Sequence, residues 1–470
     1  MRRAGIALLV LAASCSGGDE PPRDERPDIV LFLADTFRAD GLSFYGGEHD
    51  VTPRLDAFAA ESLRFQNAWS SSSWTLPSHV SMFFGLHPYQ HGATRHGLKP
   101  GKDLTSIAEK LRAAGYRTAA ITDSLYVSRR FDLDRGFEWF HEAEQRDLDA
   151  TIERALEQLA ADDDRPLFLF VHTYRTHEPY EASRETREEY GERLGIEGSW
   201  EGLLDELAEA HAERGDEATA ERLRQGDFYG ALRELALVVP GDQGSGTFLH
   251  RLKALYYGGV ADLDRAFGLF LARIPSAANT WVIFTSDHGE AFGEHGGLFH
   301  GRGVWEENLR IPLLIRGPGL EQRTAREGAS LVDLPHTIAE IAGIAPDPSW
   351  EGRSLLSLED DAPVYLFDCA QRGTAAAAVV DHGLKLVLPA TREGIEGREL
   401  LHAFDLGADP GETNELGDDG RVGALLDRRG DRLLELLTPH SDAETVLLDP
   451  EELRRLKAAG YMGSDECDGG

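Results

Sequence analysis

Five apolar runs constrain this chain most, and several of them end on a carboxylate or run up to an imidazole. Asp28 to Asp35 reads DIVLFLAD, Arg117 to Thr122 RTAAIT, Pro166 to Thr173 PLFLFVHT, Thr280 to Asp287 TWVIFTSD, and Ile311 to Gly317 IPLLIRG. None alternates apolar with polar, as a strand with one wet face does. Continuous runs of this length suit strands buried on both faces. Helical patterns lie between them: TPRLDAFAAESL begins at Thr52, LTSIAEKLRAAG at Leu104 and RLKALYYGGVADLDRAFGLFLARI at Arg251. Strands alternating with helices predict an α/β fold, a mainly parallel central sheet flanked by helices. Such a sheet gathers its functional groups at the carboxyl ends of the strands. Asp35, His172, Asp287 and His288 all fall there.

The remainder divides by character. Residues 181–245 are charged with little apolar periodicity, and read as a helical insertion, a lid or substrate-shaping element. After Ala345 short strands recur (PVYLFDC, AAAAVVD, LKLVLPA, ELLHAFDL) between Gly- and Asp-rich turns, with a helix near Glu451 to Ala459. They predict a small C-terminal α+β subdomain with an antiparallel sheet over 346–470, behind a large domain over 27–345. The 470 residues, 41% of them hydrophobic, suffice to bury both cores.

The start, MRRAGIALLVLAASCSGGDE, sets two arginines before an apolar run from Ile6 to Ala13. That is a secretory leader, too short to span a bilayer. Its AASC ending resembles a bacterial lipobox, so Cys15 is expected to carry lipid and residues 16–26 to form a flexible tether. The chain is then exported to the periplasm or cell envelope and meets membrane only through that anchor. Two further cysteines, Cys369 and Cys467, do not make a disulfide framework. The net charge of -34 excludes nucleic acid as a partner, because phosphate backbones would be repelled. An anionic ester substrate therefore needs a bound metal or a few placed basic residues.

Asp35 closes a buried strand, where a divalent cation would offset its charge. Asp287-His288-Gly289 closes another, and the following stretch adds Glu290, Glu294, His295, His300 and Arg302. That density of ligand-type side chains points to a functional site. Thr75, in SSSSWTLPSH, stands just before a helix pattern. It serves there either as an N-cap or as a nucleophile beside the helix's free N–H groups. A cation next to that hydroxyl would lower its pKa. In VHTYRTHEPY, His177 lies further above the sheet than His172 and is the better substrate contact.

In order and spacing, LADTFRADGLSFYG, TPRLDAFAAESLRFQNAWSSSSWTLPSH, GLHPYQHG, LRAAGYRTAAI, TSDHGEAFGEHG, GRGVWEENLRIPLLIRGPG and AFDLGADPGETNEL resemble the sulfatase family of the alkaline phosphatase superfamily. The resemblance spans nearly the whole chain and implies an alkaline-phosphatase-like fold. It implies Asp35, Thr75, Asp287 and His288 as metal ligands, and Thr75 as nucleophile in place of the signature cysteine or serine. His177 then contacts substrate, and Arg302 stands where the family places a sulfate-binding lysine. The departures bear on the chemistry. Threonine cannot give formylglycine, since its β-carbon would become a ketone. His79 replaces the signature arginine and Thr36 the second aspartate of the pair. Asp123 and Leu125 replace a substrate-binding lysine and histidine.

An Asp/Thr/Asp/His ligand set contains an imidazole and favours zinc or manganese over calcium, with one ion or two. It resembles that of phosphoethanolamine and phosphoglycerol transferases and nucleotide phosphodiesterases. The expected activity is hydrolysis of sulfate or phosphate esters by Thr75, phosphate slightly favoured, with His79, His177, His300 and Arg302 assisting. A phosphoryl transferase acting on a membrane lipid or glycan, and a non-catalytic binder of sulfated glycans, are the alternatives. The substrate itself is a sulfated or phosphorylated glycan, lipid or small molecule.

Overall fold

The computed structural model describes residues 25–143, 147–225, 243–274, 279–357, 362–369, 375–417 and 419–458. The leader with Cys15, all but the end of the tether, Cys467, and residues 226–242 of the insertion lie outside the described residues.

The central sheet has eight strands, in chain order β1 (Asp28–Ala34), β2 (Leu63–Trp69), β3 (Arg117–Thr122), β4 (Trp139–Glu142), β5 (Leu167–Thr173), β6 (Thr280–Thr285), β7 (Leu313–Arg316) and β8 (Thr324–Ser330). Their spatial order is β8-β2-β7-β6-β1-β5-β3-β4. β1 lies parallel between β5 and β6. The unbroken hydrophobicity of these runs has a direct cause. On β1, Ile29, Leu31 and Leu33 enter one core while Val30, Phe32 and Ala34 enter the other. Helix α1 (Pro53–Ala60) is followed by α2 (Thr75–Phe84), which covers the first face with Leu76, Val80 and Phe83. The described part of the charged insertion is helical, as expected from sequence, with α3 (Arg184–Leu194), α4 (Trp200–Glu213) and α5 (Glu217–Arg224). Helix α6 (Gln243–Leu271) covers the second face with Leu252, Leu255, Leu263 and Phe267.

Two expectations change. The run from Ile311 is not a parallel strand: β7 is antiparallel to both β6 and β2. The chain passes from β6 to β7 through a loop at one end of the sheet, and without a crossover element the returning strand must reverse. The helix begun at Thr52 stops at Ala60, and Leu63 opens β2, whose outer residues alternate.

In the C-terminal part β9 (Val364–Asp368), β10 (Ala376–Asp381), β11 (Leu384–Pro389) and β12 (His402–Asp405) form an antiparallel sheet in that order, as the sequence predicts. Its cover, helix α7 (Gly420–Leu436), carries Leu425, Leu426, Leu433 and Leu436 on its inner face and is not anticipated from sequence.

A fully buried ammonium ties the two parts together. Lys385 Nζ on β11 lies 2.7 Å from Glu412 and 3.0 Å from Glu306 of the large domain. The Trp69 indole also donates to Glu306, at 2.9 Å. Removing the cation leaves two buried carboxylates facing each other. Lys385→Met is therefore expected to cost about 3–5 kcal/mol, read as a lowered thermal or denaturant midpoint. Lys385→Met combined with Glu306→Gln should recover part of that loss.

Candidate active site

The nucleophile candidate sits on a loop with little freedom. Ser70 to Ser73 are all fully buried. Ser70 N donates to Leu309 O at 2.8 Å, Gly301 N to Ser73 O at 2.7 Å, and Phe367 N, on β9, to Ser71 O at 2.9 Å. The chain then enters α2 with Trp74 as N-cap and Thr75 as the first helical residue. Thr75 is thus not a cap. Its Oγ1 instead lies 3.3 Å from Nε2 of His288. His79, one turn on, has Nδ1 at 2.9 Å from the Thr75 carbonyl and 3.5 Å from Asp287 Oδ2. It lies beneath the nucleophile against its backbone.

Asp35 follows β1 and Asp287 and His288 follow β6, on adjacent parallel strands, so one sheet edge presents all three. Their ligand atoms lie within 4.8 Å of one another. Nδ1 of His288 faces the Gly289 carbonyl at 2.9 Å, so that nitrogen carries the proton and Nε2 offers a lone pair. Nε2 lies 3.3 Å from Asp287 Oδ2 and 3.8 Å from Asp35 Oδ1. Neither oxygen makes a hydrogen bond, although both residues are fully buried. Buried carboxylate oxygens pointing at an imidazole lone pair and a hydroxyl are what a cation site requires, and the residues fit one. Gly289 permits the turn, because a Cβ there would stand 2.1 Å from the Glu307 carbonyl oxygen. Thr36 adopts the left-handed region, φ 57°, and donates its N–H to Asp287 Oδ1 at 3.2 Å. Its hydroxyl bonds main chain, so it replaces the family's second aspartate in position only.

A second group lies beside the first. His177, Glu178 and His300 are buried, with ligand atoms within 4.8 Å of one another. Nδ1 of His177 faces the Glu178 carbonyl at 2.8 Å, and Nδ1 of His300 faces Glu290 Oε1 at 3.1 Å. Tyr180 holds the other Glu290 oxygen at 2.8 Å. The rings of His288 and His300 are 4.5 Å apart, so the two groups adjoin.

Burial sets the electrostatics. It pushes the Asp35 carboxyl well above the usual range, helped by Asp123 and Glu178, and Asp287 likewise, helped by Asp35. Glu290 is pushed up to about 8, chiefly by burial. Burial, aided by neighbouring imidazoles, holds His288 and His79 well below the ordinary histidine value.

Of the residues singled out in the sequence, Asp35, Thr75, His79, Asp287 and His288 come together, with His177 and His300 adjoining. Arg302, partly exposed, belongs to the same loop as His300, where Gly303 N donates to Asp368 Oδ2 at 2.8 Å. Glu294 pairs with Arg38 and His295 with Glu307, so both lie outside the clusters. Glu178 escaped sequence reasoning, hidden behind the more conspicuous His177. Asp123 and His172 join the site from behind Asp35.

A hydroxyl at a helix start, beside converging carboxylates and imidazoles at the strand ends of an alkaline-phosphatase-like sheet, defines a hydrolase acting on ester bonds. The sulfatase family model matches residues 27–344, and the chain belongs to that family. It is 24% identical over 469 residues to the uncharacterized sulfatase YidJ of Escherichia coli (strain K12), covering 88% of this chain and 87% of that one. It superposes with TM-score 0.70 and 19% identity on a protein solved in complex with its substrate D-glucosamine-2-N,6-O-disulfate, covering 88% of this chain and 98% of the other. A phosphonate monoester hydrolase of Agrobacterium radiobacter superposes with TM-score 0.65 and 18% identity over 87% of this chain and 95% of its own. The family is metal-dependent, and the two clusters are this chain's candidate metal-binding groups.

Crowded carboxylates make the metal-free protein pay for its site in stability. A divalent cation held there at about a hundred times its dissociation constant should stabilise the fold by about 2.7 kcal/mol, seen as a raised thermal midpoint. Asp35→Asn should abolish that response. It should also raise the midpoint of chelator-treated protein at neutral pH, because the cost of holding a carboxyl with a raised pKa is gone and an amide can face the His288 lone pair.

Proposed function

We propose that this chain is an exported, metal-dependent hydrolase that cleaves phosphate esters with the unmodified Thr75 hydroxyl. One observation carries the reading: Thr75 Oγ1 lies 3.3 Å from His288 Nε2, between a helix N-terminus and the Asp35, Asp287 and His288 group. Threonine cannot supply an aldehyde, so the oxygen that attacks is its own.

A divalent cation held by Asp35, Thr75, Asp287 and His288 would lower the pKa of the hydroxyl and take up negative charge that develops on the transferring group. Zinc or manganese suits the donors. For zinc, bonds of about 2.0–2.1 Å at tetrahedral angles would separate donor atoms by roughly 3.3 Å. The separations about His288 Nε2 are 3.3 Å to Thr75, 3.3 Å to Asp287 and 3.8 Å to Asp35. Calcium prefers about six to eight oxygens. His177, Glu178 and His300 offer three more ligands, and the number of ions per purified chain, one or two, reports whether that group is filled.

Thr75 Oγ attacks phosphorus and forms a P–O bond as the ester P–O bond breaks. The proton that the Thr75 hydroxyl gives up ends on the departing oxygen, which leaves as alcohol. Water then cleaves phospho-Thr75, and the hydroxyl is restored as phosphate leaves. The first N–H groups of α2 face the phosphoryl oxygens. Arg302, on the loop of His300, pairs with the substrate anion. His79 holds the backbone of Thr75 from below.

Sulfate esters are the second reading, favoured by the family and by the neighbour solved with a disulfated sugar. Matched aryl sulfate, phosphate monoester and phosphate diester, assayed with zinc, manganese or calcium, separate the two. Phosphate ester turnover is expected with zinc or manganese, lost by at least about 10³-fold in Thr75→Ala and retained in part in Thr75→Ser. Sulfate turnover that depends on Thr75 would reverse the preference. Export through a lipidated Cys15 predicts membrane-fraction enzyme that becomes soluble in the Cys15→Ala chain.

A further inference from the structure

Among the ligand candidates, Asp35 divides its two oxygens between different surroundings. Oδ1 faces His288 and makes no hydrogen bond. Oδ2 lies 3.1 Å from Nε2 of His172. His172 is fully buried near the end of β5, where its backbone pairs with Leu33 of β1. Its other nitrogen, Nδ1, lies 3.4 Å from Oδ1 of Asp123, just past the end of β3, a charge contact in which neither atom makes a hydrogen bond. Oδ2 of Asp123 in turn faces the Thr173 hydroxyl at 3.4 Å. The line Asp123–His172–Asp35 therefore crosses three neighbouring strands, β3, β5 and β1. Packing alone does not call for it, since an apolar ring would fill the place of His172 between His79 and Tyr174 without burying polar atoms.

We infer that His172 is a positioning residue that ties up one oxygen of Asp35, so that Asp35 offers a cation a single oxygen, and that Asp123 fixes the orientation of the His172 ring. The inference rests on the proposed metal reading. A carboxylate with both oxygens available can bind through two, raising the coordination number toward what calcium prefers. Held by His172, Asp35 contributes one donor and leaves room for a tetrahedral set. Groups that orient metal ligands are generally worth about 10–100-fold in metal affinity.

The test compares the full chain with His172→Phe, His172→Gln and Asp123→Asn. Glutamine keeps a donor toward Asp35 and gives up the contact with Asp123. Dissociation constants for zinc, manganese and calcium are measured by competition with a chelating dye, and the visible spectrum of the cobalt-loaded protein reports coordination number. His172→Phe is expected to weaken zinc by about 10–100-fold, to weaken calcium far less, and to dim the cobalt bands. His172→Gln should stay close to the wild-type constants. Asp123→Asn should shift the zinc-to-calcium ratio in the same direction as His172→Phe. Unchanged zinc affinity and an unchanged zinc-to-calcium ratio in His172→Phe would overturn the inference. Should that variant not fold, the same result in Asp123→Asn would overturn it. A wild-type chain that binds no divalent cation would instead sink the metal reading beneath it.

Discussion

The burial of Asp35 and Asp287 side by side, away from water, is the constraint around which the rest of the site is organised. Two like charges in a dry place are costly in the absence of a counter-charge. His288 and His79, fully buried beside them, are imidazoles that burial keeps neutral, so these two offer lone pairs rather than positive charge. A divalent cation satisfies both sets at once. The backbone is bent to suit. Thr36 and Phe299, each beside a site residue, take φ values of 57° and 66°. Non-glycine residues hold that region at a cost of about 1–3 kcal/mol, and only where the surroundings enforce it.

What enforces it comes from two directions. From the sheet, β1 and β6 are adjacent and parallel, so their carboxyl ends put Asp35 next to Asp287 without help from loops. From the small subdomain, β9 meets the serine loop ahead of Thr75, Asp368 accepts a hydrogen bond from Gly303, and Lys385 anchors Glu306 at the far end of the His300 loop. The C-terminal sheet is therefore part of the candidate site's architecture, because it clamps the segments that carry Thr75 and His300.

Much of this was legible in the sequence, for identifiable reasons. Buried parallel strands leave continuous apolar runs, and the residue that breaks such a run marks the strand end, so Asp35, His172 and Asp287 announce themselves. The direction of β7 was not legible, since a short apolar run looks the same whichever way it points and only the missing crossover reveals the reversal. Glu178 and Asp123 were undervalued because an isolated acid in a chain this acidic carries almost no signal. They acquire meaning only when folding sets Glu178 beside His300 and Asp123 against His172. The N-cap and nucleophile readings of Thr75 were equally good in one dimension, and one residue of helix register separates them: Trp74 occupies the cap.

That register bears on chemistry as well as structure. A capping hydroxyl accepts a hydrogen bond from its own helix and has a lone pair committed there. One residue further on, the hydroxyl of Thr75 is turned across the site toward His288, and the first N–H groups of the helix lie beside it, where an anion would be favoured. His79 then takes a place beneath the helix, its imidazole on the Thr75 carbonyl and near Asp287. An arginine there would bring a fixed positive charge into contact with a ligand carboxylate and compete with the cation for Asp287. A neutral imidazole does not. The exchange of a cationic side chain for His79, and of a signature cysteine or serine for Thr75, thus belong to one consistent arrangement, and it is the one the proposed mechanism needs: a metal would supply the positive charge and the hydroxyl would act unmodified.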